Sequence, residues 1–281
     1  MEYREFGRTG EKVSIIGMGT YYDVSWIILS RLGIMRNRAL HIEAIKAGIE
    51  IGINLIDTAE LYNTEGLIKE AIRGYKRDEL FIATKVWPNH LKYDSLIRAC
   101  ERSLRRLGVN YVDLYQIHFP SKRVPIGESI RAMEKLVEMG KIKYIGVSNF
   151  SLNQMIEAEE AMKKNYLAST QMPYSLVDRR IEEGIIPYCR NKKIAILCYY
   201  PLGHGKIVKE MPVEVLKRIE EKHGKRTRAQ IALNYIISKH EITFPIPRAS
   251  RPDHVRENEG ATGWRLDEED IKFLEETTSK I

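Results

Sequence analysis

The sequence predicts an α/β fold, a (β/α)8 TIM barrel with an N-terminal β-hairpin and an extra C-terminal helix, on three observations. Short apolar runs alternate with amphipathic helical patterns; eight such runs fit into 281 residues; and no linker or low-complexity stretch divides them. Repeating β-then-α units imply parallel strands, because a parallel pair needs a crossover connection. Eight of them in this length suit a closed barrel better than an open doubly wound sheet. One domain covering 1–281 is expected.

Taken in order, Tyr3 to Phe6, the Gly7-Arg-Thr-Gly10 turn and Lys12 to Ile15 read as a hairpin. The barrel runs are Ile15 to Thr20, Ile53 to Asp57, Leu80 to Lys85, Val112 to His118, Ile142 to Val147, Ser169 to Met172, Ile194 to Tyr199 and Ile242 to Ile246. Between the third and fourth, Leu96, Cys100, Leu104 and Leu107 recur at helical spacing and Gly108 stops the helix. Ile130, Met133, Leu136 and Val137 mark the next, ended by Gly140. Ser151-Leu-Asn-Gln154 and Thr227-Arg-Ala-Gln230 have the form of capping boxes. Asp267 caps a last helix carrying Ile271 and Leu274.

Composition narrows the function classes. The 45 Lys and Arg exceed the 38 Asp and Glu by seven, a balance that attracts anionic ligands. Basic residues are interleaved with Glu, as from Glu214 to Lys225, which is the pattern of an ion-paired solvated face and not of a nucleic-acid tract. Cys100, Cys189 and Cys198 have neither disulfide nor zinc spacing and fall within apolar patterns. The N-terminus lacks an apolar signal region, and the apolar stretch Trp26 to Met35 is too short to span a bilayer. The expectation is a cytoplasmic protein that works on small molecules, with no nucleic-acid or membrane partner and no metal, as a monomer or small homo-oligomer.

Strand exits of such a barrel share one rim, where its active sites are built. The second run ends in Asp57, with Tyr62 just beyond it. The third ends in Lys85 and the fourth in His118. Singly, each reads as a turn cap or a satisfied core residue. Four titratable groups at three consecutive exits converge too well for that reading.

The constellation resembles the aldo-keto reductase family over nearly the whole chain. The resemblance is carried by Asn54-Leu-Ile-Asp57-Thr-Ala-Glu-Leu-Tyr62, Thr84-Lys85-Val-Trp87, Ile117-His118, Gly146-Val-Ser-Asn149-Phe, Gln171, Cys198-Tyr199-Tyr-Pro201-Leu, and Pro245-Ile-Pro-Arg248 through Glu257-Asn258. It implies an NAD(P)-dependent carbonyl/alcohol oxidoreductase, an aldo-keto reductase or alcohol dehydrogenase, with Asp57, Tyr62, Lys85 and His118 as the catalytic four. The residue types suit that chemistry. A carbonyl oxygen that gains negative charge needs a proton, and a phenol can supply one if a cation lowers its ordinary pKa of about 10. Lys85 is that cation; Asp57 holds the ammonium; His118 orients the carbonyl by a hydrogen bond.

The resemblance also assigns cofactor residues. Ser148, Asn149 and Gln171 are implied to bind the nicotinamide carboxamide, Tyr199 to stack on its ring, and Thr20 and Tyr21 to line its side. Pro201 and Leu202 follow in the same segment, while Arg248, His254, Glu257 and Asn258 are implied to hold the adenosine end. Tyr21, Trp87, Phe119 and Tyr200 are the substrate-pocket candidates. Gly17-Met-Gly19 lacks the third glycine of a Rossmann fingerprint. The implied cofactor is NADP, with NAD possible, since Arg248 and Arg251 flank the implied 2′-phosphate position.

This sequence departs from the family pattern at Phe119, where Trp is common, at Ala249 in place of Ser, and at His254 in place of Arg. The apolar segment from Tyr22 to Asn37 is expected to cover the pocket, fill the rim or contact another subunit. Two other classes compete. A metal-dependent hydrolase built on His90, His118 and His204 lacks a His-x-His on the first strand. A non-catalytic dinucleotide-binding sensor or channel-associated subunit on the same fold has the four-residue set against it.

Overall fold

The computed structural model describes residues 1–278; residues 279–281 of the expected barrel lie outside the described residues. The chain begins with an antiparallel hairpin, β1 (Tyr3–Glu5) and β2 (Lys12–Ser14), in which Tyr3 pairs with Ser14. Phe6 packs its ring 4.7 Å from Phe81 and 5.1 Å from Phe244, both at the start of barrel strands. The hairpin thus closes the N-terminal end of the barrel with an apolar plug of Phe6 and Val13.

The barrel strands are β3 (Met18–Gly19), β4 (Leu55–Asp57), β5 (Phe81–Val86), β6 (Val112–Ile117), β7 (Ile142–Ser148), β8 (Leu167–Pro173), β9 (Ala195–Tyr199) and β10 (Thr243–Pro245). All pair in parallel and in chain order, from β3 at one side to β10 at the other. The seam between those two is joined by backbone bonds: Gly17 and Gly19 donate to the Pro245 and Pro247 carbonyls at 2.9 Å, and Ala249 donates back to Gly19 at 2.9 Å. A Cβ on Gly19 would stand 2.7 Å from the Ile246 carbonyl oxygen, so the seam requires glycine there. β3 is shorter than the expected Ile15 to Thr20.

Before the site, the apolar segment from Tyr22 to Asn37 contains a helix, α1 (Val24–Arg31), and α2 (Arg38–Glu50) follows it as the helix expected after the first barrel strand. Asp23 starts α1 by accepting the Trp26 N–H at 2.6 Å. Trp26 is buried; Val24, Ile28 and Leu32 point outward. The remaining units alternate as the periodicity demands: α3 (Glu65–Ala71), α4 (Tyr93–Leu107), α5 (Ile126–Glu138), α6 (Leu152–Ala161) and α7 (Ile185–Lys192). Three helices, α8 (Lys206–Glu210), α9 (Val213–His223) and α10 (Arg228–Lys239), separate β9 from β10. The chain then forms α11 (Pro252–Glu259) and the extra α12 (Glu268–Thr277).

The helix signals act where the sequence puts them. Both capping boxes form reciprocally, and Asp267 accepts from the Asp270 N–H. Gly108, at φ 67°, takes the left-handed conformation that ends α4. The three cysteines are free and buried. Among the described residues no helix is long and apolar enough to cross a membrane.

Candidate active site

The barrel brings the four strand-exit residues together. Asp57 ends β4, Lys85 lies one residue from the end of β5, and His118 follows β6 directly; Tyr62 closes a single 3-10 turn, Glu60–Tyr62, just after β4. The Lys85 Nζ donates to Asp57 Oδ2 at 2.7 Å and to the Thr58 carbonyl at 2.7 Å. Gln171 Nε2 donates to the other carboxylate oxygen at 2.8 Å. Lys85 is wholly buried and Asp57 nearly so. Burial drives the Asp57 carboxyl up and the Lys85 ammonium down from their ordinary values, while their mutual attraction works against both shifts.

Tyr62 Oη lies 3.2 Å from His118 Nε2, with the rings edge to face at 5.4 Å. The Lys85 ammonium stands 5.1 Å from the centre of the Tyr62 ring. Burial, with the neighbouring Lys85 charge, pushes His118 down to about 2, so the imidazole is neutral near neutral pH. Burial and the Asp57 carboxylate hold the Tyr62 phenol well above its ordinary value. That direction reverses the sequence expectation that Lys85 lowers it: the ammonium is bound to Asp57 and Thr58, and the phenol sits in low dielectric.

A second ring of expected residues continues from the first. Asn149 Nδ2 donates to the His118 carbonyl and to Ser148 Oγ, both at 3.0 Å, and Tyr199 Oη donates to Asn149 Oδ1 at 2.7 Å. Ser148 Oγ donates to the Gln171 carbonyl at 3.1 Å. Thr20 binds the Asp57 carbonyl with both its N–H and its hydroxyl at 3.0 Å. The amide of Gln171 is committed to Asp57, which makes it part of the buried pair's support.

Aromatic rings border this floor. Tyr21 lies 5.3 Å from Tyr62 and 6.4 Å from Tyr200, and Trp87 lies 5.2 Å from His118 and 5.8 Å from Phe119. Tyr200, at φ 50°, leads into Pro201 and Leu202. At the far side Arg248 Nη1 donates to the Tyr22 carbonyl at 2.6 Å. His254, Glu257 and Asn258 lie on α11, His254 exposed and Asn258 buried. His90 is engaged 3.0 Å from Glu60, and His204 packs on Tyr200 with ring centres 3.7 Å apart.

Three supporting groups escaped the sequence reading. Trp26 donates its indole N–H to the Tyr62 carbonyl at 3.1 Å, which ties α1 to the turn bearing the phenol. The Thr58 carbonyl takes the second proton of Lys85, a backbone role that no residue type signals. Glu60, whose side chain is 6% exposed, accepts from the Trp87 N–H; its place between Asp57 and Tyr62 was the available clue.

Comparison with known proteins gives the family. The profile described as "Aldo/keto reductase family" matches residues 29–278. The chain is 33% identical to the methylglyoxal reductase YeaE of Escherichia coli, over 92% of this chain and 89% of that one. It is 36% identical to a glyoxal reductase of Bacillus subtilis, over 83% and 82%. A crystal structure of an aldo-keto reductase from Klebsiella pneumoniae in complex with NADPH superposes with a TM-score of 0.86 at 30% identity, covering 99% of this chain and 95% of that one.

Proposed function

This chain belongs to the aldo/keto reductase family, and from that premise we propose that it is an NADP(H)-dependent oxidoreductase interconverting a small carbonyl compound and its alcohol. The observation that carries the reading is the neutral His118 imidazole 3.2 Å from the Tyr62 phenol, beside the buried Lys85–Asp57 pair. Small aldehydes, ketones and dicarbonyls suit the aromatic border, and the names of the two relatives support that size class.

The residues present fit the cofactor. Ser148, Asn149 and the half-exposed Tyr199 form one bonded group at the rim beside His118 and would receive the nicotinamide end. Arg248 and α11 would hold the adenosine end, where buried polar atoms of Tyr22 and His41 have no hydrogen-bond partner. When bound, the reduced cofactor supplies hydride to the carbonyl carbon.

The side chains handle the oxygen. His118, neutral, donates Nε2–H to the carbonyl oxygen and fixes its position. Tyr62, protonated at neutral pH, gives its proton to the oxygen as negative charge builds there. The Lys85 ammonium, 5.1 Å from the Tyr62 ring, offsets part of the cost that burial and Asp57 place on the phenolate left behind, and Asp57 keeps that ammonium in place. Trp87, Phe119 and Tyr21 exclude water from the reacting centre.

The test is a panel of small carbonyls with NADPH and NADH, followed at the reduced-nicotinamide absorbance band. Tyr62→Phe should keep cofactor affinity and lose roughly 10²–10⁴-fold in turnover. A variant that turns over like the wild type, with chemistry limiting, removes Tyr62 from the acid role.

A further inference from the structure

One register row crosses four barrel strands at the level of the buried ion pair: Lys85 pairs with Gln116, Gln116 with Gly146, and Gly146 with Ser169. Below this row the interior is apolar, with Leu55, Ala83, Leu114 and Leu197. Gln116 and Ser169 are 0% exposed, yet neither end of the Gln116 amide nor the Ser169 hydroxyl completes a hydrogen bond. An amide held this way in a barrel core is costly, and an apolar residue of the same size would avoid the cost. Gly146 leaves the space between the two side chains. A Cβ there would stand 2.5 Å from Ser169 Oγ and 2.9 Å from Gln116 Cγ.

The unused capacity of the neighbours is complementary to these atoms. An ionised carboxylate offers about four acceptor sites. Among the described residues Asp57 fills two, Oδ2 with Lys85 and Oδ1 with Gln171. Burial raises the Asp57 carboxyl, and Lys85, Gln171 and then the Gln116 amide pull it back, so the amide acts on the carboxylate from its place beside Lys85. Lys85 spends two of its three N–H groups, on Asp57 and on the Thr58 carbonyl.

We propose that Gln116 is a positioning residue for the reaction: its amide N–H braces the ionised Asp57 carboxylate, its oxygen is anchored by the Ser169 hydroxyl, and the brace keeps the third N–H of Lys85 for Tyr62. The inference rests on the function proposed above and deepens it. It also gives a reason for an amide on β6 where the layer below carries Leu114.

A carboxylate that loses a donor takes up its proton at higher pH. Lys85 from β5 and Tyr62 from the turn after β4 act on Asp57, with His118 beside the phenol and Glu65 of α3 acting on Lys85. His118, at about 2, and Tyr62, well above its ordinary value, titrate away from Asp57.

The experiment compares the full-length wild type with Gln116→Met, which keeps the length of the side chain and removes the amide. Carbon-13 NMR of labelled aspartate carboxyl groups, assigned with Asp57→Asn, reads the Asp57 protonation midpoint. In parallel, kcat for reduction of a small carbonyl with NADPH is followed against pH. The midpoint should rise by about one unit, the scale of a hydrogen bond to a charged group, and the acid limb of kcat should rise with it. An unmoved midpoint, or a raised midpoint with an unmoved acid limb, overturns the inference. If Gln116→Met does not fold, Ser169→Ala carries the test: loss of the anchor should raise the midpoint by about half a unit, and a wild-type midpoint overturns the inference. An unmoved midpoint in a protein that reduces carbonyls normally sinks the inference alone. A raised midpoint in a protein that reduces no carbonyl sinks the proposed function and leaves the brace on Asp57 standing.

Discussion

Replacing Asp57 by Asn tests how far the buried ion pair supports the barrel rim. Lys85 is 0% exposed and Asp57 3%, and the ammonium has two partners, the carboxylate and the Thr58 carbonyl, each at 2.7 Å. Removing one charge of a buried pair leaves the other uncompensated and typically costs 3–5 kcal/mol. Asn keeps an acceptor for Lys85, and Thr58 O remains, so the lower end, about 3 kcal/mol, is expected. At roughly 2–4 °C per kcal/mol for a chain near this size, the melting temperature should fall by about 6–12 °C. The assay is urea unfolding of the cofactor-free protein, with Lys85→Met and the Asp57→Asn/Lys85→Met double variant. Because the double variant removes both charges, it should be clearly more stable than the sum of the single losses predicts. Additive losses, or an Asp57→Asn protein within about 1 kcal/mol of wild type, refute the argument.

Two further outcomes follow from the geometry. Gly19→Ala places a Cβ 2.7 Å from the Ile246 carbonyl and should cost at least the roughly 1–3 kcal/mol of overpacking, while Gly66→Ala in α3, with nothing within 4 Å, should be neutral or stabilising; equal effects in thermal unfolding contradict the seam. His118 has a folded pKa of about 2 against about 6.5 unfolded, so the unfolded chain binds its proton first as pH falls. Its contribution is present above about pH 6.5 and is lost below it, amounting to about 2 kcal/mol between pH 7 and 5; His118→Asn should flatten that slope, and an unchanged slope counts against it.

The barrel was legible because period and punctuation agree along the chain. The capping boxes at Ser151 and Thr227 and the stop at Gly108 all act as the sequence suggests. Asp57, Lys85 and His118 were legible because each breaks an apolar run with a charge-bearing group that a buried strand would otherwise exclude. What stayed hidden involves backbone or long-range geometry. The Thr58 carbonyl has no residue signature, and the bond from the Trp26 indole to Tyr62 O joins segments 36 residues apart. The Tyr62 shift was misread because proximity to Lys85 was visible in the spacing, whereas the desolvation that outweighs it depends on the closed rim. The segment from Tyr22 to Asn37 read only as unusually apolar; the Asp23 cap that starts a helix within it went unnoticed.

The glycine seam has a consequence for biogenesis. A ribosome releases β3 early, but its hydrogen-bonding partners beyond Pro245 emerge only near the end of synthesis. Until then the nascent sheet carries an unpaired edge, the kind of surface on which chains stick to one another. Arg4, near the N-terminus, likewise waits for the Ile237 and Glu241 carbonyls that it binds in the finished molecule. Completion is therefore a late, long-range event, and a chain truncated before β10 should be retained by chaperones as an open sheet.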